Sequence, residues 1–266
     1  MNERVKWTAP RIKALKGKGK VVSLTAYDYS TARIVDEAGF HLVLVGDSLG
    51  MTMLGYENTL PVTMEEMLHH TAAVARGTKY ALVVADMPFL SYQVSVAQAL
   101  ENAGRFLKIG ADAVKVEGGA FRAPTVRALV ENGIPVLGHV GLTPQSLQAL
   151  GGFKVQGKKP READQIVEDA KAIEAAGAFA IVLEAVPAAL APEVTAAVGV
   201  PTIGIGAGPG CDGQILVVHD ILGTYGDFRP KFAKRYAELG AEMRKSFEQY
   251  KKEVEDGTFP GPEHCY

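Results

Sequence analysis

Residues 107–118 read LKIGADAVKVEG: the end of an amphipathic stretch, a glycine, a short turn, then an apolar run that closes on a glutamate. The same order recurs in DEAGFHLVLVGD (36–47) and EAAGAFAIVLEA (174–185). In each, the glycine supplies the left-handed residue that ends a helix, and a strand starts two or three residues later. The repeated unit is helix, turn, strand.

Working outward, apolar runs rich in valine, isoleucine and leucine recur as VVSLTAY (21–27), HLVLVGD (41–47), ALVVADM (81–87), AVKVEGG (113–119), IPVLGHV (134–140), FAIVLEAV (179–186) and PTIGIGA (201–207). Near-continuous apolar strands suit a parallel sheet covered on both faces. Helical patterns lie between them at 62–77, 95–110 and 161–177, each ending near a glycine. QILVVHD (214–220) offers a weaker eighth strand. Eight such units in one chain of 266 residues predict a (β/α)8 TIM barrel rather than an open doubly wound sheet. No linker divides the chain, so residues 1–266 read as one domain with a helical extension over 228–257. That extension spaces Phe232, Tyr236, Leu239, Met243, Phe247 and Tyr250 three or four apart, a stripe that packs on its own barrel or on a neighbouring subunit.

Composition narrows the setting. With 28 basic and 30 acidic residues the net charge is -2, which gives no general pull toward nucleic acid or an anionic membrane. Cys211 and Cys265 are too few and too far apart for a disulfide framework or a zinc motif, and a reducing cytoplasm fits best. The basic N-terminus, MNERVKWTAPRIKALKGKGK, is followed by no signal-length apolar stretch, and no run of about 18 apolar residues occurs. It reads as a solvated basic segment with a short helix after Pro10.

The strands then show their chemistry. Asp47, Asp86, Glu117 and Glu184 each stand at or near the C-terminal end of a strand, the end where βα loops build the active sites of such barrels. Acids gathered there repel one another and raise each other's pKa unless a positive charge lies among them. A divalent cation with hard oxygen ligands answers this, with Asp47 and Asp86 as direct ligands and Glu117 bonded directly or through water. The competing reading is that individual acids cap the helices after their strands.

Lys115 lies two residues before Glu117, so both side chains face the barrel interior. There it either meets an anionic substrate or forms a structural ion pair. His139 ends the fifth strand and either contacts a substrate oxygen or sits satisfied in the core. Ser48 either binds substrate or holds its turn. The string from Gly208 to Gly213 has the form GxGxxG, but a strand follows it and not the helix a dinucleotide site requires. It reads as a close backbone approach.

In order along the chain, GDSLGMTMLGYENTLPVTMEEMLHHTAAVARG (46–77), ADMPFLSY (85–92), VKVEGG (114–119), GHVGLTPQSLQALGGFKVQGK (138–158), VLEAVP (182–187) and GIGAGPGCDGQILVVHDILG (204–223) resemble the ketopantoate hydroxymethyltransferases. The resemblance reaches PKFAKRYAELG (230–240) and FPGPEH (259–264). It implies a barrel of the phosphoenolpyruvate/pyruvate type that binds Mg2+, one ion per subunit. The implied reaction moves a hydroxymethyl group from 5,10-methylenetetrahydrofolate to 3-methyl-2-oxobutanoate, giving 2-dehydropantoate and tetrahydrofolate on the route to pantothenate and coenzyme A. The resemblance places the metal on Asp47, Asp86 and Glu117, and the oxo acid on Asp47, Ser48, Asp86 and Lys115. It makes Glu184 the proton acceptor, puts His139 near the substrate, and implies a homodecamer.

Two other readings share parts of this pattern. A metal-dependent carbon–carbon lyase of 2-oxo acids would keep the acids without folate, and several barrel lyases use a loop cysteine. Cys211, in its glycine-rich turn, reads instead as a small packing residue. A non-catalytic barrel that senses an oxo acid would need no base, whereas the apolar flanks of Glu184, IVL and AV, predict one kept basic by desolvation.

Overall fold

Each of the seven expected strands forms, with ends within two residues of those predicted. The computed structural model describes residues 4–226 and 230–266. Its strands are β1 (Val21–Thr25), β2 (Leu42–Val45), β3 (Leu82–Asp86), β4 (Ala113–Glu117), β5 (Val136–Gly141), β6 (Ala180–Glu184), β7 (Thr202–Ile205) and β8 (Gly213–Leu216). They pair in parallel in chain order, and β8 pairs with β1 to close the barrel. The predicted helices appear at Met64–Gly77, Val96–Lys108 and Pro160–Ala175. The first starts on a capping box: the Thr63 hydroxyl accepts from the Glu66 N–H, and Glu66 accepts from the Thr63 N–H. The second starts on Ser95, which accepts from the Gln98 N–H.

The barrel interior is read from alternate positions. Leu42, Leu44, Leu82, Val84, Ala113, Leu137, Ala180, Val182, Ile203 and Ile215 belong to one buried cluster. Since side chains alternate faces along a strand, Asp86 continues the inward set of β3, Lys115 and Glu117 that of β4, His139 that of β5, and Glu184 that of β6. The apolar layers lie toward the strand starts and the ionisable layer toward their ends, as the closed parallel barrel requires of its C-terminal face.

The same cluster contains Ala9 and Ile12 from the short helix Ala9–Lys13, with Trp7 and Leu15 packed against it. The expected helix is present, but the segment is not merely solvated. Its apolar face joins the core of the barrel, Ile12 being fully buried, while its charged face stays outside.

The chain divides into two compact units at Val217–Val218. The eighth strand is shorter than predicted: it stops at Leu216, and Val218–Leu222 is helical, so the second half of QILVVHD belongs to the C-terminal unit. In the predicted extension over 228–257, residues 228 and 229 lie outside the described residues. Residues 230–238 are not helical; the N–H groups of Tyr236 and Ala237 bond instead to the Ile221 carbonyl. The helix runs from Leu239 to Glu255. Its Met243, Phe247 and Tyr250 are exposed. Among the described residues, no helix is long and apolar enough to cross a membrane.

Candidate active site

Strand register sets the ionisable side chains beside one another. Asp86 pairs with Lys115 across β3 and β4, Glu117 with His139 across β4 and β5, and Gly141 with Glu184 across β5 and β6. Asp47 and Ser48 follow β2 in the turn that leads into the helix Leu49–Thr52.

The centre is a buried charge cluster. Nζ of Lys115 donates to both oxygens of Asp86 at 2.7 Å and to Oε1 of Glu117 at 3.3 Å. The backbone N–H of Asp47 donates to Oδ2 of Asp86 at 3.2 Å. One oxygen each of Asp47, Asp86 and Glu117 fall within 4.8 Å of one another. All four residues are buried.

Burial pushes each carboxylate toward its neutral form. At Asp47 burial prevails, helped by repulsion from Asp86 and Glu117, and the pKa rises well above the usual carboxylate range. Asp86 is also raised by burial, although Lys115 opposes the shift. At Glu117 burial works the same way but is overcome by Lys115 and His139, and the pKa falls to about 2. Burial disfavours the ammonium of Lys115, yet Asp86 and Glu117 outweigh it and raise its pKa.

His139 stands between two carboxylates. Its Nδ1 lies 3.4 Å from Oε1 of Glu117 and its Nε2 lies 3.2 Å from Oε2 of Glu184. Neither nitrogen reaches hydrogen-bond geometry, so the link is one of charge at ion-pair distance. Burial and Lys115 disfavour the imidazolium, but Glu117 and Glu184 overcome both and raise the pKa to about 9. Glu184 does not lie in the dry apolar setting its neighbours in sequence predict: its side chain is 17% exposed and faces His139. Its strand end is tightly packed: Gly141 has φ +92, and a Cβ there would fall 2.4 Å from the Glu184 carbonyl oxygen. Only glycine fits that position.

The structure links six of the seven residues singled out in the sequence by direct contacts: Asp47, Asp86, Lys115, Glu117, His139 and Glu184. Ser48 follows Asp47 in the chain, and its Oγ shares a 2.8 Å hydrogen bond with the hydroxyl of the buried Tyr27. Sequence reasoning missed Tyr27, Tyr92 and Gln145. Gln145, from the turn after β5, donates through Nε2 to Oδ2 of Asp47 at 3.0 Å and through its backbone N–H to Oε2 of Glu117 at 3.0 Å. Tyr92 donates to Oε1 of Gln145 at 2.7 Å. Both lie inside motif strings quoted above, ADMPFLSY and GHVGLTPQSLQALGGFKVQGK, and that was their only signal.

The decoys resolve as packing. A Cβ on Gly208 would meet Ala188 at 2.7 Å and one on Gly210 would meet Pro192 at 2.6 Å, so these glycines let the turn lie against residues 188–192. Cys211 is buried, and burial pushes its thiol pKa up, the reverse of what a reactive loop cysteine needs.

Three buried carboxylates beside one ammonium offer several hard oxygen donors, which suit a small hard cation. The donor set therefore fits magnesium. Fold and cluster together define the class: a parallel (β/α)8 barrel with three acids grouped closely enough to hold a divalent cation at the C-terminal face of its strands. Among solved structures the fold is similar to 2,3-dimethylmalate lyase, a PEP mutase/isocitrate lyase superfamily member, with TM-score 0.61 and 17% identity over 96% of this chain and 92% of that one. That likeness speaks for the fold alone. In sequence, residues 6–262 match the family model of ketopantoate hydroxymethyltransferase. The chain is 59% identical to the 3-methyl-2-oxobutanoate hydroxymethyltransferase of Syntrophobacter fumaroxidans, over 99% of this chain and 93% of the relative. It is 60% identical to the enzyme of the same name from Clostridium novyi, over 96% and 93%. The chain belongs to the ketopantoate hydroxymethyltransferase family.

Proposed function

We propose that this protein transfers the one-carbon unit of 5,10-methylenetetrahydrofolate to C3 of 3-methyl-2-oxobutanoate, forming 2-dehydropantoate and tetrahydrofolate in the cytoplasmic synthesis of pantothenate. The observation that carries the reading is the approach of Asp47, Asp86 and Glu117 to within 4.8 Å, with Glu184 one imidazole ring away from Glu117.

Asp47 and Asp86 would hold a magnesium ion, with Glu117 bonded to it directly or through water. When bound, such an ion supplies Lewis-acid polarisation of a 2-oxo acid. The protein's own groups do the rest. Lys115 places a positive charge where the substrate develops a negative one, and Ser48 orients the carboxylate or keto oxygen. Glu184 takes the proton from C3 as that C–H bond breaks. His139 steadies Glu184 and keeps its carboxylate aimed across the barrel. C3 then bonds to the methylene carbon, whose two bonds to folate nitrogens break; water supplies the hydroxyl, and its other proton and the one Glu184 took from C3 go to the two nitrogens.

In the same proposal the barrel unit carries the chemistry, and the apolar stripe of the helix Leu239–Glu255 meets another subunit of a homodecamer. The test is deuterium exchange at C3 of the oxo acid, followed by proton NMR with and without magnesium. Metal-dependent exchange that Glu184→Gln abolishes is the expected result. Absence of exchange in the unmodified protein, with tetrahydrofolate added to complete the site, refutes the mechanism and favours an oxo-acid-binding barrel.

A further inference from the structure

Gln145 is buried, and its amide has no hydrogen-bonding capacity left over. A primary amide offers two N–H donors and two acceptor lone pairs. Nε2 donates to Oδ2 of Asp47 at 3.0 Å and to the Met87 carbonyl at 2.8 Å. Oε1 accepts from the Tyr92 hydroxyl at 2.7 Å and from Nε2 of Gln93 at 3.0 Å. The backbone N–H of the same residue donates to Oε2 of Glu117 at 3.0 Å. Gln145, from the loop after β5, thus ties down groups at the ends of β2, β3 and β4.

The orientation of the amide is fixed from outside. The backbone N–H of Glu117 donates to the Tyr92 hydroxyl at 3.2 Å, and the hydroxyl proton has Oε1 of Gln145 at 2.7 Å as its nearer acceptor and the Glu117 carbonyl at 3.4 Å as its farther one. The Met87 carbonyl can only accept, so Nε2 takes that side of the amide and also faces Asp47. Oδ2 of Asp47 is then held by the Gln145 amide and Oε2 of Glu117 by the Gln145 backbone, while Oε1 of Glu117 faces Lys115 and His139. Reversing the amide would set Oε1 against the Asp47 carboxylate and Nε2 against the Tyr92 hydroxyl, losing at least two bonds in a buried place.

We propose that Gln145 is a positioning residue that aligns Asp47 and Glu117 for the divalent cation, with Tyr92 locking its amide. The inference rests on the metal-dependent reading above, and outer partners of metal ligands act in this way when they fix the orientation of a carboxylate. Gln145 touches neither cation nor substrate in this role. It acts through the two acids it holds.

The test uses Mn2+ as the probe, its binding to the full-length protein measured from the electron paramagnetic resonance of the free ion. Gln145→Met keeps the length of the side chain and removes its amide; Tyr92→Phe keeps Gln145 and removes the lock. Gln145→Met should weaken Mn2+ binding roughly 10–100-fold, and Tyr92→Phe should weaken it less, in the same direction. The spectrum of the bound ion should change in both, which a purely structural role would leave alone. Mn2+ affinity in folded Gln145→Met within twofold of the parent overturns the proposal. If that variant does not melt cooperatively, Tyr92→Phe decides in its place by the same criterion. A parent that binds no Mn2+ overturns both this inference and the metal-dependent function. A parent that binds Mn2+ but does not exchange C3 hydrogen overturns the function alone, and the Gln145 effect on affinity then stands separately.

Discussion

Oε2 of Glu184 lies 3.2 Å from Nε2 of His139, whose other nitrogen lies 3.4 Å from Oε1 of Glu117. The proposed base and an acid of the proposed cation site are therefore joined through one buried ring. The pKa of that ring is raised from 6.5 to about 9. A raised folded-state pKa gives stability that is fully present below the unfolded value of about 6.5 and is lost as pH climbs through about 9. The metal-free protein should accordingly lose thermal stability across that window, and His139→Gln should lose less. Melting curves collected over the window check this; equal slopes for the two proteins would count against the charged bridge.

Lys115 holds Asp86 and Glu117 in a site almost closed to water. Lys115→Met keeps much of the volume but strands the carboxylates without their cation. The expected loss is about 3–5 kcal/mol of unfolding free energy in the absence of metal. Magnesium should return part of it, since a ligand at 100 times its Kd adds about 2.7 kcal/mol. Urea unfolding with and without magnesium measures both; a variant as stable as the parent refutes the cluster's electrostatic account.

Ile12 tests the N-terminal segment. It is fully buried in the barrel cluster, so Ile12→Ala should cost about 2–5 kcal/mol. The rate of C3 exchange per folded molecule should stay unchanged. An effect below about 0.5 kcal/mol in the same unfolding assay would return the segment to the solvated role its charges suggest.

Phe247 is 63% exposed on the helix Leu239–Glu255. In the proposed homodecamer another subunit covers this apolar face. Phe247→Asp should shift the protein to smaller assemblies in sedimentation velocity while its circular dichroism is preserved. An unchanged sedimentation coefficient places the subunit contacts elsewhere.

The barrel was legible because burial on both faces leaves a plain mark: apolar runs of strand length, four of them closing on an acid. Asp47, Asp86, Glu117 and Glu184 stood out for the same reason, since a carboxylate at the end of such a run has no apolar explanation. Lys115 and His139 followed from period-two alternation. Gln145 and Tyr92 lie in turns, where no periodicity links a residue to what it touches, and their roles depend on three strand ends meeting in space. The N-terminal face was hidden by arithmetic of another kind: Ala9, Ile12 and Leu15 are spaced three apart, but cations surround them. Residues 230–238 carry a helical pattern, yet the N–H groups of Tyr236 and Ala237 bond to the Ile221 carbonyl, a partner the local sequence does not reveal.

The alternation of inward positions has a consequence for how this chain can vary. Lys115 and Glu117 reach the interior only because they share parity with Ala113, so the site is written in a two-beat metre. A substitution changes one note, but losing a single residue within β4 shifts every later beat and turns ammonium and carboxylate outward together. Tolerance to deletion should therefore drop sharply at β3 to β6 even at small residues such as Ala113, and a deletion scan read by metal binding would trace the metre directly.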